Sequence, residues 1–310
     1  MEILKLTPAF KDYIWGGQQL KSEYNVTDLD RVSEAWVLSC HKDGASVVEG
    51  GEYDGKTLSE VLSAAGKEVL GSACDRFERF PVLIKLIDAA QNLSVQVHPN
   101  DEYALRVEKE YGKTEMWYIV AAKEGAGIYY GFKDSVTKEE FRKSIENNTL
   151  TELLEFVPVK AGESYFIPAG TIHAIGAGLL IAEVQQNSNT TYRVYDYGRV
   201  GADGKPRDLH VEKALDVTAL TPAPKGARFG EAEGMKIISQ CGYFRARALQ
   251  LDGQRTLRNG ESFMNLLVLS GEGSVNGRAF KKNDSFFVPA GAEAVLSGNG
   301  SIIVTDVTAE

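Results

Sequence analysis

Residues 159–170 read V-K-A-G-E-S-Y-F-I-P-A-G, and residues 280–291 read F-K-K-N-D-S-F-F-V-P-A-G. The two stretches share a short run of aromatic and β-branched residues that ends in Pro-Ala-Gly, and this pattern is typical of a strand that leads into a tight turn. One hairpin therefore occurs twice in the chain. The repeat predicts two β domains of related architecture.

The rest of the chain has the same β character. Its 31 glycines and its short apolar runs, which Gly, Asn, Asp or Pro residues bound, predict a mainly β protein of the sandwich or barrel class. The predicted strands lie at residues 80–87, 93–98, 116–121, 127–130, 164–168, 179–186, 263–269, 279–282, 285–289 and 301–305.

Three segments break the β pattern with helical periodicity. Leu58, Val61 and Leu62 recur at helical spacing in the first of them. Thr137 and Glu140 form a capping box at the start of the third, in which each side chain pairs with a free backbone amide. We predict helices inserted into the β scaffold at about residues 57–69, 101–111 and 137–154.

The stretch T-P-A-P-K-G at residues 221–226 predicts a linker, because two prolines and a glycine interrupt regular structure. We therefore divide the chain into a domain of residues 1–225, which carries the helical insertions, and a domain of residues 226–310. Both are long enough to bury a core of their own.

Composition limits the partners of the protein. The formal net charge of -9 argues against nucleic acid and against an anionic membrane, because both attract basic surfaces. The N-terminus lacks the basic and apolar regions of a secretion signal, and we expect a cytoplasmic protein. The three cysteines, Cys40, Cys74 and Cys241, form no pair that predicts a disulfide framework or a thiolate metal site.

Histidine is scarce in the chain, so the surroundings of each one are informative. Gln96 and His98 alternate along a predicted strand, and a period of two residues places both side chains on one face, about 7 Å apart. Lys113 and Glu115 alternate in the same way. His173 follows the Pro-Ala-Gly turn of the repeated hairpin.

These positions offer a plausible donor set for a metal. Two imidazoles, one carboxylate and one amide oxygen leave room around zinc for water or substrate, which is typical of a catalytic zinc site. Iron and manganese also accept such donors. His41 and His210 match no ligand pattern, and we leave both unassigned.

The run G-x5-P-x-G-x2-H that ends at His173 resembles the second cupin motif, and Q-V-H-P-N-D at residues 96–101 is similar to that of type I phosphomannose isomerases. The resemblance covers most of the chain, and the compact length is similar to that of the shorter bacterial branch. The other matching positions are Y-I-W-G-G at 13–17, S-E-A-W at 33–36, Lys85, G-K-T-E at 112–115, Glu183, Ser188 and Arg193.

The resemblance implies two cupin-like β-sandwich or barrel domains of the jelly-roll type, and one zinc ion per chain. The implied reaction is the interconversion of D-mannose 6-phosphate and D-fructose 6-phosphate by proton transfer between C1 and C2. The implied site comprises the metal ligands Gln96, His98, Glu115 and His173, the catalytic residues Arg193 and Lys113, and the substrate-binding residues Lys85, Glu183 and Trp15.

One residue departs from the family pattern. Asn189 stands where the family often has an acid four residues before its arginine, and an amide cannot act as a general base at neutral pH. The base stays open among His98, Glu183 and metal-bound water. Asn189 also keeps a second hypothesis open, a regulatory cupin that binds phosphosugars with weak turnover or none.

The second copy of the hairpin lacks a metal ligand. Ala294 stands where the ligand histidine would fall, and the sequence has no histidine after His210. We expect the second domain to be a degenerate cupin without metal ligands that packs on the first. The sequence leaves open whether the chain is a monomer or a small homo-oligomer.

Overall fold

The computed structural model describes residues 1–200, 204–224 and 229–309. The described residues are mainly β, as predicted, and their strands are β1 Leu4–Thr7, β2 Ala9–Lys11, β3 Glu34–Leu38, β4 Val47–Glu49, β5 Val82–Ala89, β6 Val95–Val97, β7 Glu115–Ala122, β8 Gly127–Phe132, β9 Leu154–Pro158, β10 Ser164–Ile167, β11 His173–Ile175, β12 Leu179–Gln186, β13 Tyr192–Tyr195, β14 Glu231–Ala232, β15 Met235–Gln240, β16 Arg245–Arg258, β17 Met264–Val275, β18 Arg278–Lys281, β19 Ser285–Val288 and β20 Glu293–Asp306. Each strand predicted from the sequence coincides with one of these.

The helices are α1 Gln19–Glu23, α2 Leu58–Ala65, α3 Asp101–Val107, α4 Lys138–Glu146, α5 Leu150–Leu153 and α6 Val211–Val217, with short 3-10 turns at Lys67–Leu70 and Ser72–Cys74. Among the described residues, no helix is both long and apolar enough to cross a membrane.

The strands form three antiparallel sheets within the described part of the chain. One has the order β10-β7-β12-β5-β3-β2, and a second has the order β13-β6-β11-β8-β9. Apolar side chains from both, such as Trp117 and Ile181 from the first and Ile128 and Ile175 from the second, pack into one core. The two sheets therefore make a sandwich, and the predicted metal ligands come from both of them.

The third sheet has the order β14-β15-β16-β20-β17-β19-β1-β4, with β18 paired to β17. Leu249, Leu257, Phe286 and Val304 are among the apolar side chains that fill its interior. β1 and β4 come from the beginning of the chain, yet they extend this sheet through the pairing of β1 with β19. The predicted domain boundary near residue 225 lies outside the described residues, and the division into two domains stays a prediction.

β5 and β12 are buried along their whole length because both of their faces are covered. Their even-numbered side chains, such as Ile84 and Val184, pack with Phe287 and Ile303 of the third sheet and with Phe263, which precedes β17. Their odd-numbered side chains point into the sandwich. A strand that is buried on both faces has few places for charge, so the charges at Lys85 and Glu183 on the inner face need a functional or pairing reason.

The predicted helices differ from the observed ones at their C-terminal ends. α3 ends at Val107, before the predicted residue 111, and Lys109 just beyond it has a φ of +58°. The helix predicted over 137–154 is two helices, α4 and α5, because Asn148 between them has a φ of +58°. At both turns the backbone leaves the right-handed helical region. The spacing of apolar residues does not predict such a change of φ.

The two repeated stretches have the same local structure, but it is one strand between two turns and not the predicted hairpin: β10 pairs with β7, and β19 pairs with β1 and β17. Each copy places its strand, β10 or β19, between two residues with positive φ: Gly162 and Gly170 at +89° each in the first copy, Asn283 at +70° and Gly291 at +78° in the second. Glycine and asparagine tolerate this conformation better than other residues. The turns, rather than the strand alone, are therefore what the two copies share.

Candidate metal centre

His98, Glu115 and His173 bring their ligand atoms within 4.8 Å of one another. They are the only group of three or more such side chains in the described part of the chain that could hold a metal ion. His98 follows β6, His173 begins β11, and Glu115 begins β7 on the opposite sheet. The cluster therefore lies between the two sheets of the sandwich.

Backbone carbonyls orient both imidazoles. Nδ1 of His98 lies 2.9 Å from the carbonyl oxygen of Thr190, and Nδ1 of His173 lies 2.8 Å from that of Thr171. A carbonyl oxygen only accepts hydrogen bonds, so each Nδ1 carries the proton and each Nε2 presents a lone pair. The two Nε2 atoms lie 3.6 and 3.3 Å from the carboxylate oxygens of Glu115.

Burial makes this cluster a set of acceptors that needs a cation. All three side chains are at most 1 % exposed, and Oε1 of Glu115 has no hydrogen-bond donor among the described residues. Burial and the nearby Glu183 raise the pKa of Glu115 to about 7, and burial lowers the pKa of His173 to about 4. Burial and the Lys113 ammonium hold the pKa of His98 well below its usual value. Neutral imidazoles and a carboxylate with an unused oxygen fit a divalent metal ion.

Gln96 belongs to the same site. It lies directly across from His173 in the sheet, and its amide nitrogen is 3.4 Å from Nε2 of that histidine. The carboxamide carries its oxygen on the same end group, and an amide can present either atom according to its hydrogen bonds. The structure thus brings all four predicted ligands together.

A cation already borders the cluster. The buried ammonium of Lys113 lies 2.7 Å from Oε2 of Glu115 and 3.1 Å from Nε2 of His98. It is also 3.9 Å from Glu183 on the neighbouring strand β12. Lys113 therefore connects the metal-ligand cluster of His98, Glu115 and His173 to a charged wall formed by Glu34, Lys85 and Glu183.

Charges alternate across the inner face of the first sheet. Lys85 lies 3.5 Å from Glu34 and 3.4 Å from Glu183, and the Trp117 indole donates a hydrogen bond of 2.9 Å to Glu183. Burial alone would raise the pKa of Glu183, but Lys113 and Lys85 outweigh it and hold that pKa below its usual value. Burial opposes the charge on Lys85 as well, and Glu34 and Glu183 raise its pKa nonetheless.

A cavity of about 260 Å³ opens beside the cluster. Its walls include every predicted catalytic and substrate-binding residue and one predicted ligand, namely Trp15, Lys85, Gln96, Lys113, Glu183 and Arg193. A larger cavity of about 470 Å³ lies elsewhere, between α2 and residues 77–80, and no member of the metal-ligand cluster lines it. We take the smaller cavity as the candidate active site, because charged side chains and a predicted metal ligand line it.

Arg193 reaches this cavity from β13. It pairs across the sheet with Gln96, its Nε is 3.3 Å from the hydroxyl of Ser94, and its Nη1 donates a hydrogen bond of 3.0 Å to the carbonyl oxygen of Asp208. Burial and the neighbouring Arg207 lower its pKa. Arg193, Gln96 and His173 thus occupy one row across three neighbouring strands.

The unassigned residues lie outside the metal-ligand cluster. The His41 ring packs edge-on against Trp36 at 5.8 Å, and His210 precedes α6, where its Nδ1 accepts the backbone N–H of Arg193 at 3.3 Å. Asn189, which departs from the family pattern, lines the cavity and donates a hydrogen bond of 3.0 Å to Asp43.

The sequence analysis missed several cavity residues, among them Tyr13, Glu34, Ser94 and Arg207. Two of these had a usable signal. Ser94 precedes Gln96 by two residues, and period two places them on one face. Glu34 stands two residues from Trp36 in a buried strand, where an acidic residue is rare without a partner. The sequence around Arg207 carried no such signal, because only the folded chain brings this residue to the cavity.

Comparisons with known proteins agree with this geometry. The sequence model of the type I phosphomannose isomerase catalytic domain matches residues 3–126, and that of the mannose-6-phosphate isomerase cupin domain matches residues 235–307. The chain is 40 % identical to mannose-6-phosphate isomerase ManA of Bacillus subtilis over 98 % of each chain. It is 38 % identical to the mannose-6-phosphate isomerase of Streptococcus mutans, over 93 % of this chain and 92 % of that one.

The fold agrees as well. A crystal structure of the mannose 6-phosphate isomerase from Bacillus subtilis superimposes with a TM-score of 0.89 at 35 % identity, over 98 % of this chain and 99 % of the other. The match of the cupin-domain model and this superposition confirm the predicted cupin architecture.

Proposed function

Since the chain belongs to the type I phosphomannose isomerase family, it interconverts mannose 6-phosphate and fructose 6-phosphate, and we propose that a metal ion held by Gln96, His98, Glu115 and His173 serves this reaction. The observation that carries the proposal is the buried cluster of acceptors at the wall of a cavity lined by charged residues.

We propose zinc as the metal. Two neutral imidazoles, a carboxylate and an amide oxygen are donors that zinc accepts while keeping a coordination position open. When bound, a divalent ion would act as a Lewis acid on the oxygens at C1 and C2 of the substrate. The carbonyls of Thr190 and Thr171 support this assignment because they hold the proton of each histidine on Nδ1, so that the Nε2 lone pairs face the cluster.

Lys113 is the residue best placed to act on the reacting oxygens. Moving the carbonyl from C1 to C2 removes a proton beside a carbonyl and develops negative charge on oxygen. The Lys113 ammonium lies between Glu115 and Glu183 and lines the cavity, so it can donate a hydrogen bond to that oxygen. Arg193, next to Gln96, would contribute positive charge on the other side of the ligands.

The charged wall would hold the sugar itself. Glu34, Lys85 and Glu183 present carboxylates and an ammonium side by side, and sugar hydroxyls can donate to the former and accept from the latter. Trp15 is 4 % exposed and supplies an apolar surface on which a sugar ring can pack. Fixing the substrate against these groups aligns C1 and C2 with Lys113.

Turnover of mannose 6-phosphate by the purified protein tests the function. We expect activity with zinc, loss of activity after chelation, and loss in His173→Ala, with His41→Ala as the control because His41 is a buried histidine outside the cluster. A metal-loaded wild type that binds mannose 6-phosphate without turning it over would contradict the isomerase and favour the regulatory cupin.

We also propose a cytoplasmic location. Its support is the chemistry of the substrate, a phosphorylated sugar, and the three cysteines Cys40, Cys74 and Cys241, which are all free thiols. For the assembly we propose a monomer or a small homo-oligomer.

A further inference from the structure

The charges around the cavity are distributed unevenly. On the side of the first sheet, the carboxylates of Glu34, Glu115 and Glu183 outnumber the ammonium groups of Lys85 and Lys113. On the side of β13, the charged residues that line the cavity, among those that the structure describes, are two arginines, Arg193 and Arg207. The excess of carboxylate suits a metal cation, and the arginine side suits an anion.

Arg207 is held in place by a buried carboxylate. Its Nε and Nη2 donate hydrogen bonds of 2.8 and 2.6 Å to the two oxygens of Asp196, which is 6 % exposed. Such a two-point contact fixes the plane of the guanidinium. The remaining amino group, Nη1, has no hydrogen-bond acceptor among the residues that the structure describes. Arg207 therefore offers one free edge, and it lines the cavity.

Arg199 shares the same carboxylate but is occupied. Its Nη2 also contacts Asp196, and its Nη1 donates a hydrogen bond of 2.6 Å to the carbonyl oxygen of Asn92. It is not among the residues that line the cavity. Arg199 and Arg207 thus share a carboxylate, but of the two only Arg207 lines the cavity, where it can meet the substrate.

The two lysines of the cavity are already paired with carboxylates. Lys85 lies between Glu34 and Glu183, and Lys113 contacts Glu115. Arg193 uses Nε and Nη1 for Ser94 and Asp208, which leaves its Nη2 without an acceptor among the described residues. The free guanidinium edges on the β13 side are therefore those of Arg207 and Arg193.

Resting on the proposed function, we propose that Arg207 binds the phosphate group of the sugar phosphate, with Arg193 beside it and Asp196 as the residue that positions Arg207. A guanidinium matches the geometry of phosphate oxygens better than an ammonium does. Binding the phosphate on this side directs C1 and C2 toward the metal-ligand cluster. The two sides of the cavity, one rich in carboxylate and one with arginines, therefore set the orientation of the sugar phosphate.

Kinetics of Arg207→Gln test this assignment, with Arg199→Gln as the matched control. We expect Arg207→Gln to raise KM for mannose 6-phosphate by about 10- to 100-fold, the range of a charge-assisted hydrogen bond, and to change kcat by less than about threefold. Arg199→Gln should leave KM within about threefold of the wild type. Arg207→Lys, which keeps the charge and loses the two-point contact, should fall between the two.

Asp196→Asn separates positioning from binding. It should raise KM by several-fold and leave kcat unchanged, because the amide donates as well as accepts and no longer fixes the plane of Arg207. A merely structural role of Asp196 would lower Tm without this split of KM from kcat. An unchanged KM in Arg207→Gln, or an equal rise in both glutamine variants, would overturn the proposal.

Calorimetric binding separates this proposal from the isomerase function. Zinc-loaded wild type should bind mannose 6-phosphate more tightly than mannose, and Arg207→Gln should lose most of that difference. The measurement does not depend on turnover. If the wild type were inactive and Arg207→Gln still lost the affinity difference, the result would refute the isomerase and retain the phosphate site. An affinity difference that persists in Arg207→Gln would refute the phosphate site alone.

Discussion

Gln96 and Arg193 are direct partners across the antiparallel strands β6 and β13. On its other side, Gln96 pairs with His173 of β11. Directly opposite residues in an antiparallel pair point to the same face of the sheet. One row of backbone pairing therefore sets the spacing between a metal ligand, the amide beside it and the arginine at the cavity.

Removing the metal should lower the stability of the protein. An ion that binds the folded cluster and not the unfolded chain would, at a concentration about 1,000 times its dissociation constant, add about 4 kcal/mol to the free energy of unfolding. We expect a chelator to lower Tm of the wild type and to leave Tm of Glu115→Gln nearly unchanged. Differential scanning calorimetry with and without zinc measures this, and an equal response of both proteins would contradict the metal site.

Lys113→Met should lower kcat by about 100- to 10,000-fold, the range for loss of a group that transfers a proton or stabilises charge. Methionine keeps most of the length of the side chain and removes its charge. Lys143→Met serves as the control, because Lys143 is 63 % exposed in a surface ion pair with Glu139. Zinc content should be measured in parallel, and a normal kcat in Lys113→Met would exclude a catalytic role.

Glu183→Gln should destabilise the protein by about 3–5 kcal/mol, because it leaves the buried Lys85 and Lys113 short of a carboxylate. The amide oxygen can still accept from Trp117, so the loss reports charge pairing rather than packing. Urea denaturation at neutral pH measures it. A change below about 1 kcal/mol would mean that Glu34 and Glu115 suffice for both lysines.

Gly112→Ala should reduce both stability and activity. A Cβ at this glycine would come within 2.4 Å of the backbone carbon of Asn100, so the segment that carries Lys113 and Glu115 must shift. We expect a loss of about 1–3 kcal/mol and a fall of about 100-fold in kcat, as a displacement near 1 Å causes. Gly242→Ala is the control because nothing lies within 4 Å of its Cβ position, and equal behaviour of the two variants would refute the argument.

Asp306→Ala should unfold the protein more easily without changing catalysis. Asp306 accepts hydrogen bonds from Arg245, Arg247 and Asn259 in the third sheet, and Arg247 is fully buried. Loss of the carboxylate should cost about 3–5 kcal/mol. Activity per folded molecule should stay within about twofold of the wild type. A selective fall in kcat at full stability would instead connect the third sheet to the chemistry.

Local patterns in the sequence predicted a large part of this protein. Period-two alternation placed Gln96 with His98 and Lys113 with Glu115, and the Pro-Ala-Gly turn located His173, so the residues that the structure brings into one cluster could be named as candidate ligands. The capping box predicted at Thr137 marks the observed start of α4, and the structure shows a second capping box, at Thr57, at the start of α2. These features depend on a few consecutive residues, because the geometry of the backbone fixes which side chains at a given spacing point in the same direction.

Other features depended on residues far apart in the chain. The break between α4 and α5 and the early end of α3 are local exceptions, because both coincide with a residue of positive φ that helical periodicity does not report. β1 and β4 join the third sheet because their edges find β19, not because of their own composition. The polar end of β16 pairs with β20 over residues 252–258, where the exposed side chains carry no apolar period.

The sequence by itself determined which residues could bind a metal and where the strands β5–β8, β10, β12 and β17–β20 lie, because side-chain chemistry and the two-residue period are local properties. The tertiary structure alone decided which charges meet. Arg207 meets Asp196 beside the cavity, and Lys85 lies within 3.5 Å of Glu34 and Glu183, which raise its pKa. Electrostatic energies depend on distance and burial, and neither quantity is encoded in the neighbours of a residue along the chain.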